Sequence, residues 1–174
     1  MKKFALFILA LVAFQFSNAQ VEEGDIMISL GVGLSPSFYS GSGYESSLPP
    51  LELTGEYRLN ENIGVGAFLG YASAEYRQAG FGFDYNYILG GVLGNYHFVN
   101  KENLDVYAGA KLGYVSISSE AVGTAGLFTA SSEASGLLYG GQVGARYWFS
   151  DKFGVNAEVG YGVALVKAGL TLKI

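Results

Sequence analysis

The sequence predicts an all-β fold, an eight-stranded antiparallel up-and-down transmembrane β-barrel, and three observations carry that prediction. Apolar residues recur at period two along most of the chain, one hairpin template repeats at three short polar turns, and aromatic side chains gather at both ends of the strands. Composition agrees: the 174 residues include 26 Gly, 13 Tyr and 12 Phe, half are hydrophobic, and 14% are charged, against roughly 25% in a typical soluble domain. Such a chain is too apolar to be disordered. Its net charge of −5 excludes a nucleic-acid binder that works through a basic surface. With no cysteine, disulfide frameworks, thiolate metal sites, cysteine nucleophiles and cysteine-linked lipid anchors are excluded.

Residues 1–19 read as a cleaved secretory signal peptide. Lys2 and Lys3 precede an apolar run from Phe4 to Phe16, and the small residues Ser17 and Ala19 have the spacing of a cleavage site. A membrane anchor fails on length, because that run at about 1.5 Å per residue covers roughly 20 Å of a hydrocarbon core near 30 Å. Residues 20–174 then form the barrel domain. They offer no apolar stretch long enough for a membrane helix, so strands must carry the burial.

The repeat sets those strands. From Ile63 the apolar positions are Ile63, Val65, Ala67, Leu69 and Tyr71; from Phe153 they are Phe153, Val155, Ala157, Val159 and Tyr161; a third copy runs from Leu104 through Val106, Ala108, Ala110 and Leu112 to Tyr114. Each copy follows a polar turn, at Asn60-Glu61-Asn62, Asn100-Lys101-Glu102-Asn103 and Ser150-Asp151-Lys152. Each turn follows an aromatic-rich strand end, so the unit is a hairpin. Extending it gives strands at 26–36, 50–59, 62–76, 85–99, 104–118, 136–149, 152–163 and 166–174. The connections opposite the short turns are longer, at 37–49, 77–84 and 119–135, with one tight turn near Ala164 and Leu165. Short turns on one side and long loops on the other are the pattern of a membrane barrel whose short side is periplasmic.

A lipocalin-like barrel or a secreted β-sandwich would also alternate. Either would need a charged exterior, whereas here the polar phase is mostly Gly, Ser and Thr and the apolar phase is nearly free of charge. The aromatics form two girdles: Tyr57, Tyr96, Phe98, Tyr147, Phe149 and Phe153 beside the short turns, and Tyr71, Tyr114, Tyr139 and Tyr161 at the far ends. Between Phe153 and Tyr161, about 3.3 Å per residue and a tilt near 40° give a height of roughly 20 Å, close to the ~25 Å apolar band of such barrels.

The chain ends KAGLTLKI, with Lys167, Gly169, Leu172 and Ile174 spaced like the C-terminal recognition strand of outer-membrane barrels, except that Ile174 stands where an aromatic is usual. With the hairpin repeat and double girdle, this resembles the small eight-stranded outer-membrane barrels of Gram-negative bacteria, the OmpA-like and OmpX-like porin-family proteins. The resemblance spans nearly all of residues 21–174 and implies an architecture more than a task. It implies export to the bacterial outer membrane, contact with outer-membrane lipid and lipopolysaccharide, the barrel-assembly machinery as a partner during insertion, and a monomer.

The strand phases send Glu52, Glu56, Arg58, Asp105, Lys111, Gln142, Arg146, Asn156 and Glu158 inward. Eight strands leave room only for side chains, and buried charges must be paired. The lumen is therefore expected to hold a polar plug centred on Glu158, Lys111, Arg146 and Glu56, the alternative being a narrow porin-like path for ions or small solutes. Neither a catalytic nor a metal site is expected. His97 is the sole histidine and falls beside a periplasmic turn, on the wrong side for chemistry on lipid A, and one His without Cys cannot furnish a zinc site. The runs GVGLSP and GVGAFLG lie in strands with no helix after them, so they are not nucleotide loops, and no cofactor is expected. The loops, with Tyr39, Tyr44, Pro49, Pro50, Leu127 and Phe128, are where a surface partner would dock. Glu45, Glu75, Asp84, Glu120 and Glu133 make that side acidic. The function expected is that of a non-enzymatic structural or surface-interaction protein, adhesion included.

Overall fold

The computed structural model describes residues 21–37, 44–78, 81–123 and 131–174. The expected signal segment and the loop residues Tyr39, Leu127 and Phe128 lie outside the described residues. Eight strands follow one another: β1 Ile26–Pro36, β2 Tyr44–Arg58, β3 Ile63–Gln78, β4 Phe81–Lys101, β5 Leu104–Gly123, β6 Ser131–Trp148, β7 Phe153–Tyr161 and β8 Ala164–Lys173. Each pairs antiparallel with the next, and β8 returns to β1 to close the barrel. At the short-turn end, Ile26 N–H donates to the Ile174 carbonyl and Ile174 N–H to that of Ile26, at 3.1 and 2.9 Å. Closure removes the sheet edges that a membrane could not hydrate.

Alternation sorts the side chains by face. Along β7, Gly154, Asn156 and Glu158 are buried while Phe153, Val155, Ala157, Val159 and Tyr161 are exposed. The exterior is a continuous apolar surface on which Leu30, Leu69, Val92, Leu112, Val143 and Leu170 stand out. All ten residues expected in the girdles point outward. In a soluble protein that much exposed apolar area would be an aggregation liability; against lipid it is the solvated face.

The strands depart from expectation on the long-loop side. β2 to β6 continue past the anticipated ends, because the segments read as loops 77–84 and 119–135 go on pairing, through Glu75↔Asp84, Arg77↔Gly82 and Asp84↔Glu120. Period two persists there, carried by Phe81 and Phe83 on β4 and by small and polar residues on β5 and β6, without the outward apolar marks that locate the strands below. The last turn also moves: it falls at Gly162 and Val163, between β7 and β8, rather than at Ala164 and Leu165. Gly162 has φ +149°, a backbone region that side chains rarely adopt, so this turn does rest on a glycine. As a result the wall is uneven. β7, β8 and β1 stop at Tyr161, Ala164 and Pro36, while β2 to β6 rise beyond them.

Val143 lies midway between the outward Tyr139 and Tyr147 on β6 and is 56% exposed. An arginine at the bilayer midplane costs about 2–4 kcal/mol and one near the interface about 1 kcal/mol or less. Val143→Arg should therefore lower stability by the larger amount and Ser135→Arg by the smaller. Urea titration in lipid vesicles, followed by the fluorescence of the single tryptophan Trp148, measures both.

Candidate functional site

The interior is filled in layers, and its middle is ionic. On the inward phase of β2, β4, β5 and β6, Glu56, Arg58, His97, Asp105 and Arg146 meet in a lower tier where each is at most 2% exposed. Arg146 spans it, donating from Nη2 to Glu56 Oε2 at 2.6 Å and from Nη1 to Asp105 Oδ2 at 3.2 Å. Arg58 Nη2 reaches the same Asp105 oxygen at 3.2 Å. His97 lies between the two acids, its Nε2 2.7 Å from Glu56 Oε1 and its Nδ1 2.6 Å from Asp105 Oδ1. Asn95 donates to Glu56 at 2.8 Å and accepts from Gln142 at 2.9 Å.

An upper tier holds Glu52, Lys111, Glu158 and Lys167. Lys111 Nζ donates to Glu52 Oε1 at 2.6 Å and lies 3.9 Å from Glu158 Oε2. Lys167 bonds Glu52 and lies 2.7 Å from Glu158 Oε2. Two carboxylates thus face two ammonium groups. Tyr107 joins the tiers: its hydroxyl donates to Glu158 Oε1 at 2.6 Å, and the Arg146 guanidinium sits 4.5 Å from its ring centre. Inward glycines make the room these long side chains need. A Cβ on Gly64 would stand 2.0 Å from Glu56 Oε1, and one on Gly144 would stand 2.7 Å from the Tyr107 hydroxyl.

Apolar layers close both ends. Below the charges, Val21, Met27 and Trp148 form a buried cluster, with the Val21 carbonyl held by Asn100 Nδ2 at 2.8 Å and Lys173 Nζ 5.9 Å from the Trp148 ring centre. Above them, Phe68, Ala72, Ala74, Tyr87, Leu89, Leu93, Leu138 and Val163 pack together, with Val163 supplied by the inturned β7–β8 turn. Beside Lys111, Gln142 and Val163 there remains a cavity of about 10 Å³, the room of one water. Among the described residues, no group of His, Asp and Glu side chains could hold a metal ion.

All nine residues expected to face the lumen, Asn156 among them, are buried inside it. They do not share the single centre expected around Glu158, Lys111, Arg146 and Glu56, but divide into two tiers. Four further members were not anticipated: Asn95, His97, Tyr107 and Lys167. Counting inward from the exposed Tyr96 and Phe98 puts Asn95 and His97 in the lumen, whereas the sequence reading takes His97 only as a candidate catalytic group or zinc ligand. Lys167, read as part of the C-terminal recognition strand, is 6% exposed and completes the upper tier; Gly169 lies against the backbone of Leu30 and Gly31, Leu172 is half-buried and Ile174 is 65% exposed. The apolar layer above the charges was also not expected, since the interior was read as polar throughout.

Removing one partner of a buried ion pair strands the other and costs about 3–5 kcal/mol. Arg146→Ala, which takes one cation from both Glu56 and Asp105 and leaves them Arg58, His97 and Asn95, should lose about that much in urea unfolding in detergent. Arg146→Met with Glu56→Leu should recover part of the loss.

The family described as outer membrane protein beta-barrel domain matches residues 5–171. Among solved structures, the chain is similar to the N-terminal β-barrel domain of Pseudomonas aeruginosa OprF, at 14% identity and TM-score 0.55 over 88% of this chain and 100% of that one. It is similar to the Pseudomonas aeruginosa outer membrane protein OprG, at 14% identity and TM-score 0.57 over 91% and 99%. It is similar also to Ail, the attachment invasion locus protein of Yersinia pestis, at 16% identity and TM-score 0.52 over 87% and 95%. These likenesses show a shared fold. No curated protein matches the chain.

Proposed function

Because this chain belongs to the outer membrane protein beta-barrel domain family, we propose that it is a non-enzymatic barrel of the bacterial outer membrane with a plugged lumen, acting through its outer face as a surface-interaction protein. One observation carries the reading: the charged side chains of both tiers are buried against one another, and the cavity beside the upper tier holds about 10 Å³, less than a hydrated ion needs. To conduct, the barrel would have to break buried ion pairs whose partners have no water to replace them. Among the described residues, the ends of β2 to β6 extend past β7, β8 and β1, and there a partner would meet the fold. Ail, by its name, serves attachment and invasion, and an adhesive role for this chain is consistent with that neighbour.

On this reading residues 1–19 direct export, the assembly machinery takes up the last strand through Gly169, Leu172 and Ile174, and the apolar belt meets lipid and lipopolysaccharide as a monomer. A narrow diffusion channel is the competing reading. It is favoured by the inward polar residues from Thr171 and Asn156, 2.7 Å apart, up to Glu52. Planar-bilayer recording separates the two. The purified protein should show no reproducible unitary conductance, and cells displaying it should lose adhesion to a protein-coated surface when residues 119–135 are replaced by a tight turn. A stable conductance that changes with Lys111→Ala would establish the channel instead.

A further inference from the structure

The lower ionic tier holds one proton more than its ion pairs need. Glu56 Oε2 accepts from Arg146 and Asn95, and Asp105 Oδ2 accepts from Arg58 and Arg146. Each carboxylate is thus engaged as an anion by a guanidinium, through one of its two oxygens. Their other oxygens, Glu56 Oε1 and Asp105 Oδ1, lie 2.7 and 2.6 Å from the two ring nitrogens of His97. An ionised carboxylate accepts hydrogen bonds and donates none, while a neutral imidazole carries a single N–H. A neutral ring would serve one of these oxygens and turn a bare lone pair toward the other. Two bonds need two protons, and the ring must bring both.

The surroundings hold the ring in that position. The charged and titratable groups that face it are Glu56 and Arg58 from β2, Asp105 and Tyr107 from β5, and Arg146 from β6. Tyr107 stacks beside it at 5.2 Å between ring centres and spends its hydroxyl proton on Glu158. His97 N–H donates to the Asn62 carbonyl at 2.7 Å, and its own carbonyl accepts from Asn62 Nδ2 at 2.9 Å. The backbone that carries the ring is therefore pinned from β3's side as the ring is pinned from β2 and β5. With both protons on the ring, Arg58, Arg146 and His97 stand against Glu56 and Asp105. Three cations meet two anions.

We propose that His97 is an imidazolium and acts as a pH-set clamp in the lower tier. It ties Glu56 on β2 to Asp105 on β5 while it keeps both protons, and releases one of the two acids when it loses the second. The surplus charge is what makes release tolerable. Once the ring is neutral, two guanidinium groups still balance two carboxylates, so the tier loosens without leaving a buried charge unpaired. The sign of the pH dependence follows. A histidine in the unfolded chain has given up its second proton above about pH 6.5. Wherever the folded barrel still keeps that proton, it binds one more than the unfolded chain, and its stability falls as pH rises.

The chain has a single histidine, so its ring gives a one-residue spectrum. The full chain, isotope-labelled at histidine nitrogen and held in detergent micelles, should show both ring nitrogens protonated at about pH 8, where a free imidazole is neutral. In urea unfolding, raising the pH from about 7 to about 8 should lower the folding equilibrium constant by about tenfold, the effect of one proton. His97→Gln, which cannot titrate, should lose that dependence. An unprotonated ring nitrogen at about pH 8 would overturn the proposal, and so would an equal pH dependence in the parent and in His97→Gln. If the variant does not fold, the ring spectrum of the parent decides by itself.

Discussion

Arg146 is the group on which the interior depends. An eight-stranded barrel has a lumen as wide as its own side chains, so whatever points inward is dehydrated by its neighbours. A charge there is tolerable only when paired and hydrogen bonded. Arg146 meets that demand for both carboxylates of the lower tier, through two nitrogens of one planar fork, and its flat face covers Tyr107, which holds the upper tier. A lysine could neither span Glu56 and Asp105 nor stack in this way.

From that constraint the remaining packing follows. Long side chains crossing a narrow bore need empty positions opposite them, and the inward glycines supply these, which accounts for much of the chain's glycine content. Two apolar layers shut the carboxylates and cations off from water at both ends, which makes their mutual pairing obligatory. The lower one is Val21, Met27 and Trp148; the upper runs from Phe68 to Val163. The charged layer is therefore a dry septum between two greasy ones.

Much of this was legible in the sequence where a residue's strand phase could be counted from a girdle aromatic. Tyr57, Tyr147 and Phe153 fix the outward phase beside the short turns, and Glu56, Arg146 and Asn156 follow as inward residues. Legibility failed where the phase carried no contrast. Beyond Tyr71 and Tyr114 the outward phase turns polar while the inward one stays apolar through Ala72, Ala74, Val115 and Ile117, so the ends of β3 past Tyr76 and of β5 past Ser118 read as loop. The upper interior reads like the exterior, because Leu89 and Leu93 are as apolar as Ile88 and Val92. His97 was obscured by its chemistry: a lone histidine invites a catalytic role, and here it lies between two acids as a hydrogen-bonding spacer.

Lys167 belongs to the last strand made, and the upper tier is neutral only with it in place. Before β8 docks, Glu52 and Glu158 face Lys111 alone, and the lumen holds one carboxylate too many. The seam between β1 and β8 joins the two ends of the barrel domain, so its closure carries the largest loop entropy of any strand pair. The step that completes the wall is thus also the step that discharges its interior. A chain stalled at seven strands carries an unbalanced anion together with an open edge, and both disfavour its sinking into the hydrocarbon before the barrel is whole.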